Sequence, residues 1–267
     1  MQKIIDAHAH IFPDKIAVKA SDSIGAFYGI DMDSDASGAS LIEKEKEIGT
    51  ERILVCSSAL SAQQVESIND FIHAQCEKHP EFVGLAAMHK DYDNFEEELD
   101  RVIAMGLHGV KFHNDMQRFD IDDPKMFPIY KAMADRHMIV LFHMGDDRYD
   151  YSAPKRMSRI AQEFEDLTII GAHFGGYRRW EESFGIPKLP NVYYDTSSSL
   201  PFMGEDMSMP LRLIDRFGPE RFFFGSDFPM WSPKQELERF MKLGLDNETN
   251  AMILYDNFIR VFGLERV

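Results

Sequence analysis

Ile139-Val140-Leu141-Phe142-His143 is a run of four apolar residues, two of them β-branched, that stops on a histidine. So short and continuous an apolar run suits a strand buried on both faces, because a half-exposed strand would alternate with polar residues. Seven further runs of the same character flank it, at 3–11, 52–57, 82–88 and 109–114 before it and at 167–174, 191–197 and 221–228 after it; its own full extent is 138–145.

The segments between these runs carry helical periodicity. Val65, Ile68, Phe71, Ile72 and Cys76 follow three- and four-residue steps and stop at Pro80, and Phe95, Leu99, Val102 and Ile103 do so up to Gly106. Pro154, Pro210 and Pro233 are placed to open helices, as proline does in a first turn where its missing N–H costs nothing. The weakest unit is the sixth, where 177–190 is short and interrupted by Gly185 and Pro187. Strand–helix alternation implies parallel strands, and eight such units imply an α/β fold, a (β/α)8 TIM barrel formed as a single domain over residues 1–267. One connection is long: about forty residues separate the first two strands, and only 40–48 reads as an ordinary amphipathic helix. The remainder, about 12–38, is expected to be a loop or lid at the catalytic face.

The chain has 267 residues, 44% hydrophobic, with 45 acidic against 29 basic side chains and a formal charge of −16. That balance argues against nucleic acid and anionic membrane surfaces, which would repel it. No apolar stretch approaches the roughly twenty residues of a membrane helix, and the N-terminus opens directly on a strand with no secretory pattern. Cys56 and Cys76 form no metal motif or disulfide framework and read as reduced, mostly buried thiols of a cytoplasmic protein. Oligomeric state is not written in the sequence, although barrels of this size commonly pair into homodimers.

The chemistry gathers at strand ends. His8 and His10 sit two apart on the first run, so both imidazoles face the same way and can converge on one ion at about 2.0–2.1 Å. His143, His173 and Asp227 close the fifth, sixth and eighth runs. A barrel places its active site at the C-terminal ends of its strands, so five metal-competent side chains project into one bowl. Buried histidines and carboxylates are costly without a partner, and a shared cation supplies one.

Asp6-Ala7-His8-Ala9-His10, Gly109-Val110-Lys111-Phe112-His113, the strand-end His143, Ala172-His173-Phe174-Gly175-Gly176 and Gly225-Ser226-Asp227-Phe228-Pro229 occur in that order. With the closing segment Asn257-Phe258-Ile259-Arg260-Val261-Phe262-Gly263-Leu264, they resemble the amidohydrolase superfamily over essentially the whole chain. The likeness is to its amidohydrolase-related (amidohydrolase 2) branch, which includes aminocarboxymuconate-semialdehyde decarboxylase-like metal-dependent hydrolases. The resemblance implies a mononuclear divalent-metal site, most often one Zn2+, with Mn2+ or a second metal as variants. By position it makes His8, His10, His143 and Asp227 ligands. His173 matches a histidine that polarises substrate or moves protons, and Asp227 would also handle the proton of an attacking water.

On the fourth run, Lys111 and His113 share a face, with His113 level with His143 and Lys111 one layer deeper. Binuclear relatives carry a carboxylated lysine or glutamate there; Lys111 reads here as a structural or charge-pairing residue. His113, Arg148 and Arg178 are candidate substrate contacts, arginine being suited to bidentate pairing with a carboxylate. Arg179, Trp180, Trp231, Thr196 and Ser198 lie near the same rim. The expected function is hydrolysis of an amide, lactone or ester in a small, carboxylated molecule, an anionic small-molecule substrate. The alternative is non-oxidative decarboxylation of an aromatic or unsaturated acid.

Overall fold

A computed structural model describes residues 2–204 and 206–266. Its strands are β1 (Ile5–His10), β2 (Arg52–Cys56), β3 (Phe82–Gly84), β4 (Ala86–Ala87), β5 (Gly109–Phe112), β6 (Ile139–Phe142), β7 (Thr168–Gly171), β8 (Val192–Asp195) and β9 (Phe222–Phe223). Each lies inside one of the eight apolar runs, and the run at 82–88 is divided in two at Leu85.

The chain packs as two units, one of residues 1–56, 75–83 and 196–267, the other of 57–74 and 84–195. In the first, β1 pairs in parallel with β2, with Ile5 opposite Arg52 and His10 opposite Cys56, and β2 is followed by β3. The register shifts between Asp6 and Ala9, a bulge that re-aims the residues beside it. The segment that continues β9 runs along the other side of β1. Ala7 N–H donates to the Phe224 carbonyl at 2.8 Å, Asp227 N–H to that of His8 at 2.8 Å, and His10 N–H to that of Phe228 at 2.7 Å. Gly225 suits that close approach, since a Cβ would meet the His8 Cβ at 3.0 Å.

In the second unit β4 to β8 pair in parallel in chain order. Phe112 lies opposite Phe142, and Phe142 opposite Gly171. Residues 113 and 143 are therefore level, while His173 sits one residue farther along. The Phe112 and Phe142 rings stack at 5.9 Å, and Tyr130 meets Phe142 edge-on at 5.7 Å. All three are fully buried, each contributing on the order of 1.5–3 kcal/mol relative to exposure. Gly145, at φ +67°, lets the chain after β6 press against the chain after β7: a Cβ would lie 2.7 Å from the Gly176 carbonyl carbon.

Helices stand where the periodicity and prolines predict them, at Val65–Lys78, Phe95–Ala104, Pro154–Glu163, Ser208–Phe217 and Pro233–Met241. The sixth connection is indeed thin, a four-residue turn of helix at Trp180–Ser183. Two differences stand out. The stretch expected to be loop at about 12–38 holds a fifteen-residue helix, Asp14–Tyr28, before the helix Gly38–Lys46. A further helix, Phe127–Asp135, follows β5. Among the described residues no helix is long and apolar enough to cross a membrane.

Candidate metal centre

In the first unit, His8 and His10 leave β1 with their Nε2 atoms 3.2 Å apart. Asp227 Oδ1 lies 3.2 Å from His10 Nε2 and 3.6 Å from His8 Nε2. Donors that ligate a tetrahedral zinc at about 2.0–2.1 Å sit roughly 3.3–3.4 Å from one another. The three atoms therefore have the mutual spacing of ligands around one small cation.

Each of the three is gripped from behind. Ser197 Oγ lies 3.1 Å from His8 Nδ1, and Cys56 Sγ lies 3.5 Å from His10 Nδ1. Ser198 donates its hydroxyl to Asp227 Oδ2 at 2.5 Å and accepts the indole N–H of Trp231 at 2.9 Å. Burial works to lower the His10 pKa, but charge on Cys56 and the hydrogen bond with Asp227 outweigh it and lift the value to about 9. Asp227 and Ser198 both hold left-handed backbone, at φ +61° and +52°, a conformation that non-glycine residues adopt only at a cost.

Beneath this triad lies a concentration of buried acid. Asp6 accepts the His8 N–H at 3.0 Å and the Ser226 N–H at 2.9 Å on Oδ1, and the Ser226 hydroxyl on Oδ2. The Glu45 carboxyl lies against it. Burial, then the charge of Asp6, hold Glu45 well above the ordinary carboxylate range. Burial also pushes Glu236 up to about 8 despite its contact with Arg239, and the charge of Asp227 adds to the rise. Burial thus works against ionisation of these carboxyls, and a cation beside them would favour their charged form. The donor set and its surroundings fit a divalent metal.

In the second unit, His143 Nδ1 lies 3.0 Å from His173 Nε2, and the His113 and His143 rings stack at 4.0 Å, 9° from parallel. His113 Nδ1 accepts the Met116 N–H at 3.4 Å and so caps the short helix Asn114–Gln117. His173, at φ +60°, donates its backbone N–H to Asp195 at 3.0 Å, and its carbonyl accepts the Trp180 indole N–H at 3.0 Å. Lys111, two residues before His113, is fully buried.

Sequence reasoning did not single out Asp115. It is buried, with its Oδ2 3.6 Å from His143 Nε2 and accepting the Ser152 hydroxyl at 2.5 Å. Burial raises its pKa to about 6. A carboxylate two residues past a strand-end histidine was the only available signal. Nor were Cys56, Ser197 and Ser198 read as partners of His8, His10 and Asp227; these contacts are long-range and leave no local pattern.

The arginines are more engaged than expected. Arg148 forks onto the buried Asp146, with Nε to Oδ1 at 2.9 Å and Nη2 to Oδ2 at 2.7 Å. Arg178 lies over the Tyr177 ring at 5.4 Å, and Arg179 pairs with Asp150 and Glu182.

Three solved structures show the fold. An uncharacterised TIM-barrel protein of Bordetella bronchiseptica is 18% identical, with 98% of each chain covered and a TM-score of 0.79. A dihydroxybenzoic acid decarboxylase of a Polaromonas species, with bound manganese and the inhibitor 2-nitroresorcinol, is 15% identical over 100% of this chain and 98% of its own, with a TM-score of 0.75. A protein assigned as a 2-pyrone-4,6-dicarboxylic acid hydrolase, from Pseudomonas putida, is 18% identical over 100% of both chains, with a TM-score of 0.73. The fold is thus the (β/α)8 barrel that the alternation of strands and helices implied. A family model described as amidohydrolase matches residues 5–264, and the chain belongs to that amidohydrolase family.

Proposed function

We propose that the protein is a divalent-metal-dependent hydrolase that cleaves an amide, lactone or ester bond in a small anionic molecule. The observation that carries this is the triad of His8 Nε2, His10 Nε2 and Asp227 Oδ1 at 3.2, 3.2 and 3.6 Å. We assign these residues and His143 as ligands of one ion, in keeping with a fold that draws catalytic groups from several strand ends. Zinc suits three imidazoles and a carboxylate, and manganese would also be accepted. When bound, the ion supplies Lewis acidity, acidifying water and polarising a substrate carbonyl.

The protein's own groups would then move the protons. Asp227 accepts the proton of the attacking water and returns it to the leaving group. His173 donates a hydrogen bond to the substrate oxygen on which charge develops. His113, Arg148 and Arg178 are proposed to meet the substrate's carboxylate, Arg148 on condition that Asp146 releases part of its fork.

Non-oxidative decarboxylation is the second reading. It is favoured by the fold likeness to a decarboxylase of dihydroxybenzoic acid, and it would use the same residues to bind a carboxylate beside an electron-rich ring. Metal-replete protein offered lactones, esters, amides and phenolic acids separates the two. Acid release without CO2 supports hydrolysis, and CO2 release in place of acid shifts the assignment. A replete sample that turns over none of them removes both.

A further inference from the structure

The Trp231–Ser198–Asp227 chain has a direction. An indole N–H can only donate, so the contact of Trp231 Nε1 with Ser198 Oγ at 2.9 Å makes Ser198 the acceptor. A serine hydroxyl carries one proton, and at 2.5 Å from Asp227 Oδ2 that proton lies on the line to the carboxylate. Oδ2 is thereby fixed as the receiving oxygen, and Oδ1 is left facing His8 and His10.

Trp231 is itself fixed. The Arg239 guanidinium covers its ring at 4.7 Å and Phe202 meets it edge-on at 6.0 Å, while Arg239 is anchored on the buried Glu236. Ser198 holds left-handed backbone at φ +52°. A residue kept in that conformation where glycine would be relaxed points to a requirement for its side chain.

We propose that Ser198, oriented by Trp231, is a positioning residue of the metal centre. It fixes the rotation of the Asp227 carboxylate so that Oδ1 alone is presented toward the two histidines. This rests on the metal-dependent reading above. Hydroxyl and indole partners also leave the carboxylate's full charge available to the ion, which a charged partner would not.

The test is binding of Co2+ and Zn2+ to the full chain, by chelator competition and by the visible absorption of the Co2+-loaded protein. Ser198→Ala is expected to weaken affinity about tenfold or more, as loss of an outer partner does, and to change the Co2+ absorption, because the carboxylate is free to turn. Trp231→Phe, which keeps an aromatic ring and removes the N–H, is expected to shift both in the same direction by less. Because the indole acts through the hydroxyl, Ser198→Ala/Trp231→Phe should bind no more weakly than Ser198→Ala alone. A merely structural pair would instead add its two losses and leave the Co2+ absorption unchanged. Wild-type affinity and absorption in Ser198→Ala would overturn the assignment, and if that variant does not fold, the same result in Trp231→Phe would do so. Failure of wild type to bind either ion would remove the metal reading and this inference together, an outcome distinct from the other two.

Discussion

Ser226 is bound to Asp6 twice over, through its backbone N–H at 2.9 Å and through its hydroxyl. The same Asp6 carboxylate takes the N–H of His8 at 3.0 Å. One buried side chain thus ties the strand that carries both histidines to the segment that carries Asp227.

Removing Asp6 should therefore cost far more than removing the carboxyl pressed against it. Asp6→Ala strands two buried N–H groups and a hydroxyl and is expected to lose about 3 kcal/mol or more. Glu45→Gln keeps the shape of the side chain and removes an ionisation that burial and the charge of Asp6 already disfavour, so it should change stability by less than about 1 kcal/mol. Urea unfolding at neutral pH measures both, and equal losses in the two variants would show that the hydrogen bonds to Asp6 carry no more stability than the Glu45 carboxyl.

Metal binding should be visible as stability. An ion that binds only the folded state adds about 4 kcal/mol at a thousandfold excess over its Kd. Thermal unfolding should therefore shift upward with added Zn2+ or Mn2+ and return on chelation. His10→Ala and Asp227→Asn should abolish most of that shift while His137→Ala retains it. A shift that survives in the first two variants would place the ion elsewhere.

Arg148→Ala separates substrate binding from support. Its guanidinium is half exposed, but it covers Asp146, which is fully buried. The expected loss is about 1–2 kcal/mol of stability, from a buried carboxylate deprived of its fork, together with a raised KM. If KM rises with no change in the unfolding midpoint, the contact with Asp146 contributes no stability.

Glu236 sets a pH signature. Burial raises its folded pKa to about 8 from an ordinary value near 4.5. The folded state therefore holds a proton that the unfolded state has released between those two values. Stability due to this group is fully present below about 4.5, falls as pH rises and levels off above about 8. The urea midpoint of Glu236→Gln should decline less between pH 5.5 and 8.5 than that of wild type. Parallel declines in the two proteins would show that Glu236 is ionised throughout.

The fold was legible because strands buried on both faces announce themselves as unbroken apolar runs, and β6 with His143 is the clearest of them. The helix Asp14–Tyr28 was not, because its buried residues are Ala17, Ser21 and Gly25. Small side chains at four-residue steps pack a helix closely without producing a hydrophobic period. Phe127–Asp135 escaped for the opposite reason: its sequence is apolar nearly all round, so no face stands out. His8 and His10 could be singled out because strand geometry fixes where they point, and Asp227 because it ends an apolar run, although it lies beyond β9 in left-handed backbone. Ser198 and Cys56 could not, because what matters in them is a contact with a residue far away in the chain.

Among the described residues, His173, Ser198 and Asp227 all adopt backbone that glycine would hold at no cost. A search for sturdier variants, guided by conformational preference alone, would put glycine at each of the three and report an improvement. Each such gain would delete a side chain from the proposed centre. In this chain robustness and reactivity therefore compete for the same three positions, and a thermostable descendant should be sought by changing residues remote from the strand ends.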